Sequence, residues 1–494
     1  MKITFLIPPV LNRRERPAER TAGCTAMVYP MVNIYELTIA AILEKEGYSV
    51  AYEDFISTRR TIRKLKAFLQ QDQSDVYIFW SVNLSIRNDL EVSRLIHEYS
   101  PKTRLVYLGP APTFYVKEFL YNTRQIVVRG EPDETIRELC EYLAHEKDFS
   151  ALKGISFLKK DGVIQNNPTR ELLRDLDSLP FPARHFVKKD YFSNPKLKRS
   201  PYTAIITSRN CPFKCTFCVP SSLTFARELE VKAQTGKKPF ISMRSVENVV
   251  EEINLLAAEG YKAIGIMDDN FITTEKRLRP IADALKKHNI IWGCQARADA
   301  ITENIAAILA ESNCRYIDLG IESFNDEILE WIKKDLTKDR MIEAIELLNR
   351  YKVPVKLNIL IGTSPLETEE TIRETLDTAI RLKVDQVMIN IVAPFPGTEF
   401  YLTAKKNGWI VNGEYVPTDV QHHSILSYPN LKNKDMERLL FRYNIRFFTR
   451  PGFILAQLRR FSSLSEFYKA CRALKNKLLP EKKQYEAIGD YNRI

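Results

Sequence analysis

Cys211, Cys215 and Cys218 stand in the run Asn210-Cys211-Pro212-Phe213-Lys214-Cys215-Thr216-Phe217-Cys218, a C-x3-C-x2-C spacing. Three thiolates on one short loop can hold three irons of a [4Fe-4S] cluster and leave the fourth iron open to a small molecule. The alternative is a structural zinc, which wants a closed tetrahedron built from closely spaced ligand pairs. No second Cys/His pair lies near the loop, and the next cysteine is Cys294. Tyr202–Thr207 leads into the loop as a short β-branched run, and Ser208-Arg209-Asn210 breaks it.

Two series of alternating strands and helices must position this loop. In the first, strands are expected at 3–7, 49–53, 76–80, 104–108 and 125–129, with helices at 34–46, 61–70, 89–99 and 132–145. Short strands alternating with helices predict a doubly wound, Rossmann-like parallel sheet, with ligands outside the strand carboxyl ends. Those ends carry Pro8, Pro9, Asp54, Ser81, Val82, Gly109, Pro110 and Gly130. A hairpin with an Asp161-Gly162 turn and the extended stretch Asp175–Pro182 follow as a connector. The second series has strands at 202–207, 263–267, 291–295, 315–320, 355–361 and 386–392. Its helices are expected at 246–258, 276–288, 303–311, 339–350 and 368–382. Six such units predict a partial (β/α)6 barrel with functional groups at the strand carboxyl ends. The expected division is 1–148, a 149–200 linker with the hairpin, a 201–410 barrel and a basic helical region over 411–494.

The cysteine spacing, with Phe217 before the third cysteine, resembles the radical S-adenosylmethionine (SAM) superfamily. The resemblance implies that SAM chelates the open iron and is cleaved to a hydrogen-abstracting 5′-deoxyadenosyl radical. It puts Phe217 near the adenine. It places Asp268 and Asp269, in Met267-Asp268-Asp269-Asn270-Phe271, where the SAM amino group is held. Gly320-Ile321-Glu322-Ser323 resembles the family's pattern, with Glu322 and Ser323 as hydrogen-bonding groups for a ribose or ammonium. Arg297 can pair with the SAM carboxylate or with Asp299. Ala393-Pro394-Phe395-Pro396-Gly397-Thr398 is similar to a frequent barrel ending, with backbone near Ala393 reaching the adenine.

The N-terminal block resembles the cobalamin (B12)-binding domain that precedes many such barrels, through Pro8-Pro9, Ser81, Gly109-Pro110 and Gly130-Glu131-Pro132. The D-x-H-x-x-G signature is absent, since Asp54 is followed by Phe55 and Ile56, so the resemblance implies cobalt without a histidine from the protein. No G-x-G-x-x-G follows the first strand, so nicotinamide or flavin binding has no support. Only Cys24 and Cys140 precede residue 150 and only Cys471 follows the barrel, which leaves no ligand set for further clusters. The function implied is a cobalamin-dependent radical SAM enzyme, a C-methyltransferase acting on an unactivated carbon. An oxidative cyclase like the anaerobic magnesium-protoporphyrin ester cyclase uses the same cofactors. A non-catalytic cobalamin-binding scaffold is the alternative of another class. A flavodoxin or ferredoxin would supply electrons.

At 494 residues the chain is long enough for two or three domains. No apolar run reaches the roughly 18 residues of a membrane span, and eight cysteines suit a reducing, cytoplasmic setting. Fifteen Lys/Arg against six Asp/Glu in residues 431–494 account for +9 of the +11 net charge. Over 434–478 these alternate with aromatic and aliphatic residues. Two outcomes follow: amphipathic helices packed across the barrel mouth, or a membrane-surface segment suited to a small hydrophobic substrate such as a tetrapyrrole, terpenoid or lipid. No recognised nucleic-acid-binding module accompanies the charge.

Overall fold

The computed structural model describes residues 1–11, 32–194, 196–382, 384–416, 420–451, 453, 454 and 468. Cys24, Cys471 and most of the tail beyond Arg450 lie outside the described residues.

The first sheet is built from β1 (Lys2–Ile7), β2 (Ser49–Asp54), β3 (Val76–Trp80), β4 (Arg104–Leu108) and β5 (Gln125–Val128), all parallel in the order β2-β1-β3-β4-β5. Its helices are α1 (Ile34–Lys45), α2 (Ile62–Leu69), α3 (Ile86–Tyr99), the short α4 (Pro110–Phe114) and α5 (Val116–Phe119), and α6 (Asp133–Ala144). Side chains alternate across each strand. Ile3, Phe5, Ile78 and Val106 meet α1 and α6 on one face, while Leu6, Tyr77, Phe79 and Tyr107 meet α2 and α3 on the other. The chain order reverses between β1 and β3, the switch point of a doubly wound sheet. The hairpin does not stand apart as a connector. Its strands β6 (Ile155–Leu158) and β7 (Ile164–Asn166) extend the sheet antiparallel from β5, because Val127 and Val128 leave a buried edge that needs hydrogen-bond partners.

The second sheet is parallel throughout: β8 (Tyr202–Ile205), β11 (Ala263–Ile266), β12 (Ile291–Ala296), β13 (Cys314–Glu322), β14 (Val355–Ile361) and β15 (Gln386–Ile391), in chain order. Between β8 and β11 come β9 (Ser208–Arg209), α7 (Ser222–Thr235), β10 (Ser242–Met243) and α8 (Val246–Ala258). The remaining helices are α9 (Glu275–Lys287), α10 (Glu303–Glu311), α11 (Asp326–Trp331), α12 (Lys338–Arg350), α13 (Glu369–Arg381), α14 (Glu399–Lys406) and α15 (Asn433–Phe448). Among the described residues no further strand joins the sheet beyond β8 or β15, so this is the open six-unit barrel expected. Ile317, Leu319, Ile321, Leu357 and Ile359 face the helices, which leaves Asp318, Gly320, Lys356 and Asn358 on the lumen side. Tyr202 and Tyr316 fill the lumen floor against Gly265 and Gly293, where a Cβ would strike their rings.

α15 packs on the outside of this barrel rather than across its mouth. Met436, Leu439, Leu440, Tyr443 and Phe447 form a helical stripe that joins the core beside β15 and α13. Its exposed arginines Arg438, Arg442 and Arg446 face Glu369 and Asp377 of α13. Among the described residues, no helix is long and apolar enough to cross a membrane.

Candidate functional site

The cysteine loop leaves β9 through Asn210, whose φ of 75° is a left-handed turn that asparagine tolerates. It is braced at several points. Thr216 donates from its N–H to Ile332 O at 3.0 Å and accepts from Phe400 N at 3.0 Å. The Lys238 ammonium donates to Phe213 O at 2.6 Å, and the Arg297 guanidinium lies 3.4 Å from the centre of the Phe213 ring. The three cysteines are half-buried and unpaired. Burial pushes all three thiols up, Cys218 furthest; Lys334, Arg297 and Lys238 pull Cys215 back down. Metal binding replaces such protons, and cations around the loop match the negative charge of a three-thiolate cluster. Three unpaired thiols on one loop suit a [4Fe-4S] cluster, which takes three cysteines and leaves one iron open, better than a closed four-ligand zinc site. Phe217 is half-buried against the barrel core.

Two of the expected SAM-side carboxylates turn out to hold the protein itself. Asp268, 1% exposed, accepts from Thr207 N at 2.6 Å, Thr207 Oγ1 at 2.5 Å and Ser208 Oγ at 2.7 Å. It locks the strand end that launches the loop, because those donors emerge from β8 directly beside it. Asp269 accepts from Ser221 N at 2.6 Å and anchors the start of α7. Burial raises both carboxyls, and these hydrogen bonds oppose it. The next residue, Asn270, keeps a buried Oδ1 without a partner among the described residues, as does Asn390 on β15. Two unpaired acceptors at the barrel's strand ends suit a donor-rich ligand such as SAM.

Of the two partners open to Arg297, the structure shows Asp299, at 3.1 and 3.2 Å, with further bonds to Lys334 O and Asp335 O. Glu322 does accept from an ammonium, but it is that of Lys334, at 2.9 Å. Ser323 is turned away: its Oγ meets Thr375 Oγ1 at 3.1 Å and accepts from Asn325 N at 3.2 Å, which opens α11. Ala393 O accepts from Phe395 N at 2.9 Å, and both residues pack into the core of the first sheet with Phe79 and Tyr107.

The four small residues of the first sheet are likewise spent on packing. Ser81 donates to Asp89 Oδ2 at 2.6 Å. A Cβ on Gly109 would lie 2.7 Å from Ser81 O, so the two strand ends touch directly, and Pro110 is buried at the start of α4. Gly130, at φ 69°, admits Glu230 of α7, whose Cβ would stand 2.9 Å from an added Cβ. The physical reason is domain docking. α7 runs between the sheets, and buried ion pairs cross there: Arg129–Glu230 at 3.1 Å, Arg209–Glu131 at 2.5 Å and Arg209–Asp133 at 2.7 Å. Trp80 Nε1 donates to Ser222 Oγ at 3.1 Å.

Residues 205–379 match the profile of the Radical SAM superfamily. The chain is 27% identical to an uncharacterised methyltransferase of Pyrococcus horikoshii, over 93% of this chain and 95% of that protein. It is 23% identical to cytidylyl-2-hydroxyethylphosphonate methyltransferase of Streptomyces wedmorensis, over 82% of this chain and 84% of that one. Its fold matches the cobalamin-dependent SAM radical enzyme OxsB, solved with aqua-cobalamin and SAM bound. The TM-score is 0.69 at 16% identity, covering 96% of this chain and 70% of that one. The matched span holds the three cysteines and the whole of strands β11, β12, β13 and β14, so this chain carries a radical SAM domain, which uses a [4Fe-4S] cluster and SAM.

Proposed function

We propose that this protein is a cobalamin-dependent radical SAM C-methyltransferase acting on an unactivated carbon. The observation that carries this reading is the docking of a doubly wound sheet onto the barrel, an architecture shared over 96% of the chain with OxsB. When bound, cluster and SAM supply a hydrogen-abstracting radical, and a cobalamin supplies a transferable methyl group. Cys211, Cys215 and Cys218 hold the irons, and Asn270 and Asn390 offer acceptors to SAM.

The corrinoid is assigned to the strand carboxyl ends of the first sheet. Ser81, Gly109, Pro110 and Gly130 support it by shaping those ends, since their own groups are engaged elsewhere. The first histidine in the sequence is His97, near the end of α3 and bonded to Asn122, so no strand end of this sheet offers an imidazole. That fits a cobalt without a protein histidine.

The lumen face near the site mixes half-buried Leu360 and Met388 with Asn358 and Asn390. Within the hydrophobic class, this favours a substrate with hydrogen-bonding edges, such as a carboxylated tetrapyrrole, over a bare hydrocarbon. Peripheral membrane association would fall to residues 455–494; flotation with anionic liposomes at low salt, compared with a chain ending at Ile454, tests it. The decisive experiment is anaerobic purification from cobalamin-fed cells. About one cobalt and about four irons per chain, with S-adenosylhomocysteine and 5′-deoxyadenosine formed on turnover, support the reading. Iron without cobalt refutes the methyltransferase.

A further inference from the structure

Lys334 lies in the turn between α11 and α12, far in sequence from the cysteines, yet its ammonium is folded into the barrel mouth. Its side chain is 6% exposed and that of its partner Glu322 9%. Gly320 makes room for the pair: a Cβ there would lie 2.8 Å from Glu322 Oε1 and 3.0 Å from Lys334 Nζ. The turn is also tied to the cysteine loop. Ile332 O accepts from Thr216 N, the residue after Cys215, and Lys334 O accepts from Arg297, which stacks on Phe213. The ammonium thus sits in the turn that holds the residue next to Cys215.

A buried ammonium loses more in desolvation than one carboxylate reliably returns. A second negative neighbour completes the balance, and the thiolate side of a cluster is such a neighbour. We propose that Lys334 is a shared counter-ion of Glu322 and of the Cys215 corner of the cluster, a positioning residue that raises the cluster's reduction potential. This rests on the cluster alone and holds whether or not the enzyme transfers methyl groups. Adding an electron makes the cluster more negative, and a fixed cation in a water-poor site stabilises that form.

Lys334→Met lowers the potential, and Lys334→Arg keeps it near the wild-type value. Since methionine alone leaves Glu322 as an unpaired buried charge, the double variant Lys334→Met/Glu322→Gln is the cleaner probe. Its potential also falls, because the cluster's fixed cation is gone and no unpaired charge is left in its place. The readout is an EPR-monitored redox titration of anaerobically reconstituted protein without SAM, with iron counted in each sample. The expected result is a shift of about tenfold or more toward the oxidised cluster in the double variant, about 59 mV for a one-electron couple. A double variant with full iron and an unchanged potential overturns the proposal, as does Lys334→Arg shifted as far as Lys334→Met. Should both neutral variants lose iron, retention by Lys334→Arg upholds the need for charge at this point, and loss from all three overturns it.

Discussion

Replacing Arg209 by methionine tests how the cysteine loop is held. Arg209 is 6% exposed and lies two residues before Cys211. Its guanidinium meets Glu131 at 2.5 Å and Asp133 at 2.7 and 3.1 Å, both between the end of β5 and the first turn of α6. Burial disfavours its charge, but Asp133 and Glu131 outweigh that and hold it protonated. In Arg209→Met two buried carboxylates face each other, with Arg227 3.4 Å from Glu131 and the Leu173 N–H donating to Glu131 at 2.7 Å as the partners left to them among the described residues. Removing one partner of a buried ion pair costs about 3–5 kcal/mol. At about 1.4 kcal/mol per factor of ten, local opening becomes about a hundred to several thousand times more frequent. A global unfolding midpoint would average this local opening with the rest of a chain of several domains. Amide hydrogen exchange over residues 208–221, read by mass spectrometry, reports the local opening directly. Protection there should fall by that factor, with a smaller fall in Glu131→Gln, which leaves Asp133 in place. Protection within about threefold of wild type, roughly 0.6 kcal/mol, would refute the claim that the first sheet anchors the loop.

Gly397→Ala strikes the same junction from the barrel side. At φ 94° the added Cβ would lie 2.1 Å from Leu229 Cδ2, so a loss of about 2–4 kcal/mol is expected from strain and overpacking together. Thermal unfolding should show it, and Leu229→Ala in the same chain should return part of it. Each of Cys211→Ala, Cys215→Ala and Cys218→Ala should cut iron after anaerobic reconstitution to a small fraction of wild type, while Cys294→Ala, a buried core cysteine, should leave it intact. Glu252 answers for acid stability. Burial alone would raise its carboxyl, but Arg184 at 2.6 Å and Arg244 at 2.5 Å hold it below the ordinary carboxylate range. Its contribution is present above about pH 4.3 and is lost as the pH falls through the lower folded value. Glu252→Gln should therefore be less stable at neutral pH and lose less between pH 5 and pH 3, measured by urea midpoints across that range.

Sequence pattern located almost every strand of both sheets to within a residue or two, because parallel strands buried on both faces are short apolar runs with clear breaks, as in Val76–Trp80 and Val355–Ile361. It passed over α7. That helix buries Arg227, Glu228 and Glu230 as well as Leu223 and Phe225, so it shows no apolar stripe; its polar residues are inside because their partners come from the other sheet. The same cause explains the site. Cys211, Cys215 and Cys218 were legible because their spacing is local. Lys334 and Lys238 were not, since Lys238 reaches the loop only after α7 folds back and Lys334 only once strands β11, β12 and β13 are laid down beside β8. Asp268 and Asp269 were legible as strand-end carboxylates, but whether such a group faces a ligand or a backbone N–H is decided by where Thr207 and Ser221 end up.

The cysteine loop is gripped by charge from two directions, and the two grips differ in kind. On one side Arg209 and Arg227 meet Glu131 and Asp133 of the first domain, a balanced set that is fixed whether or not iron is present. On the other, Lys334, Arg297 and Lys238 bring three cations against two paired carboxylates, Glu322 and Glu228, and the half-exposed Asp299. Only this second side gains when thiols become iron-bound thiolates. Loading the cluster should therefore tighten residues 332–338 and 238 while leaving 129–133 nearly unchanged. Hydrogen exchange of the iron-free and iron-loaded protein compares the two directly. Equal gains of protection on both sides would mean that iron orders the whole junction and that the asymmetry of charge has no consequence.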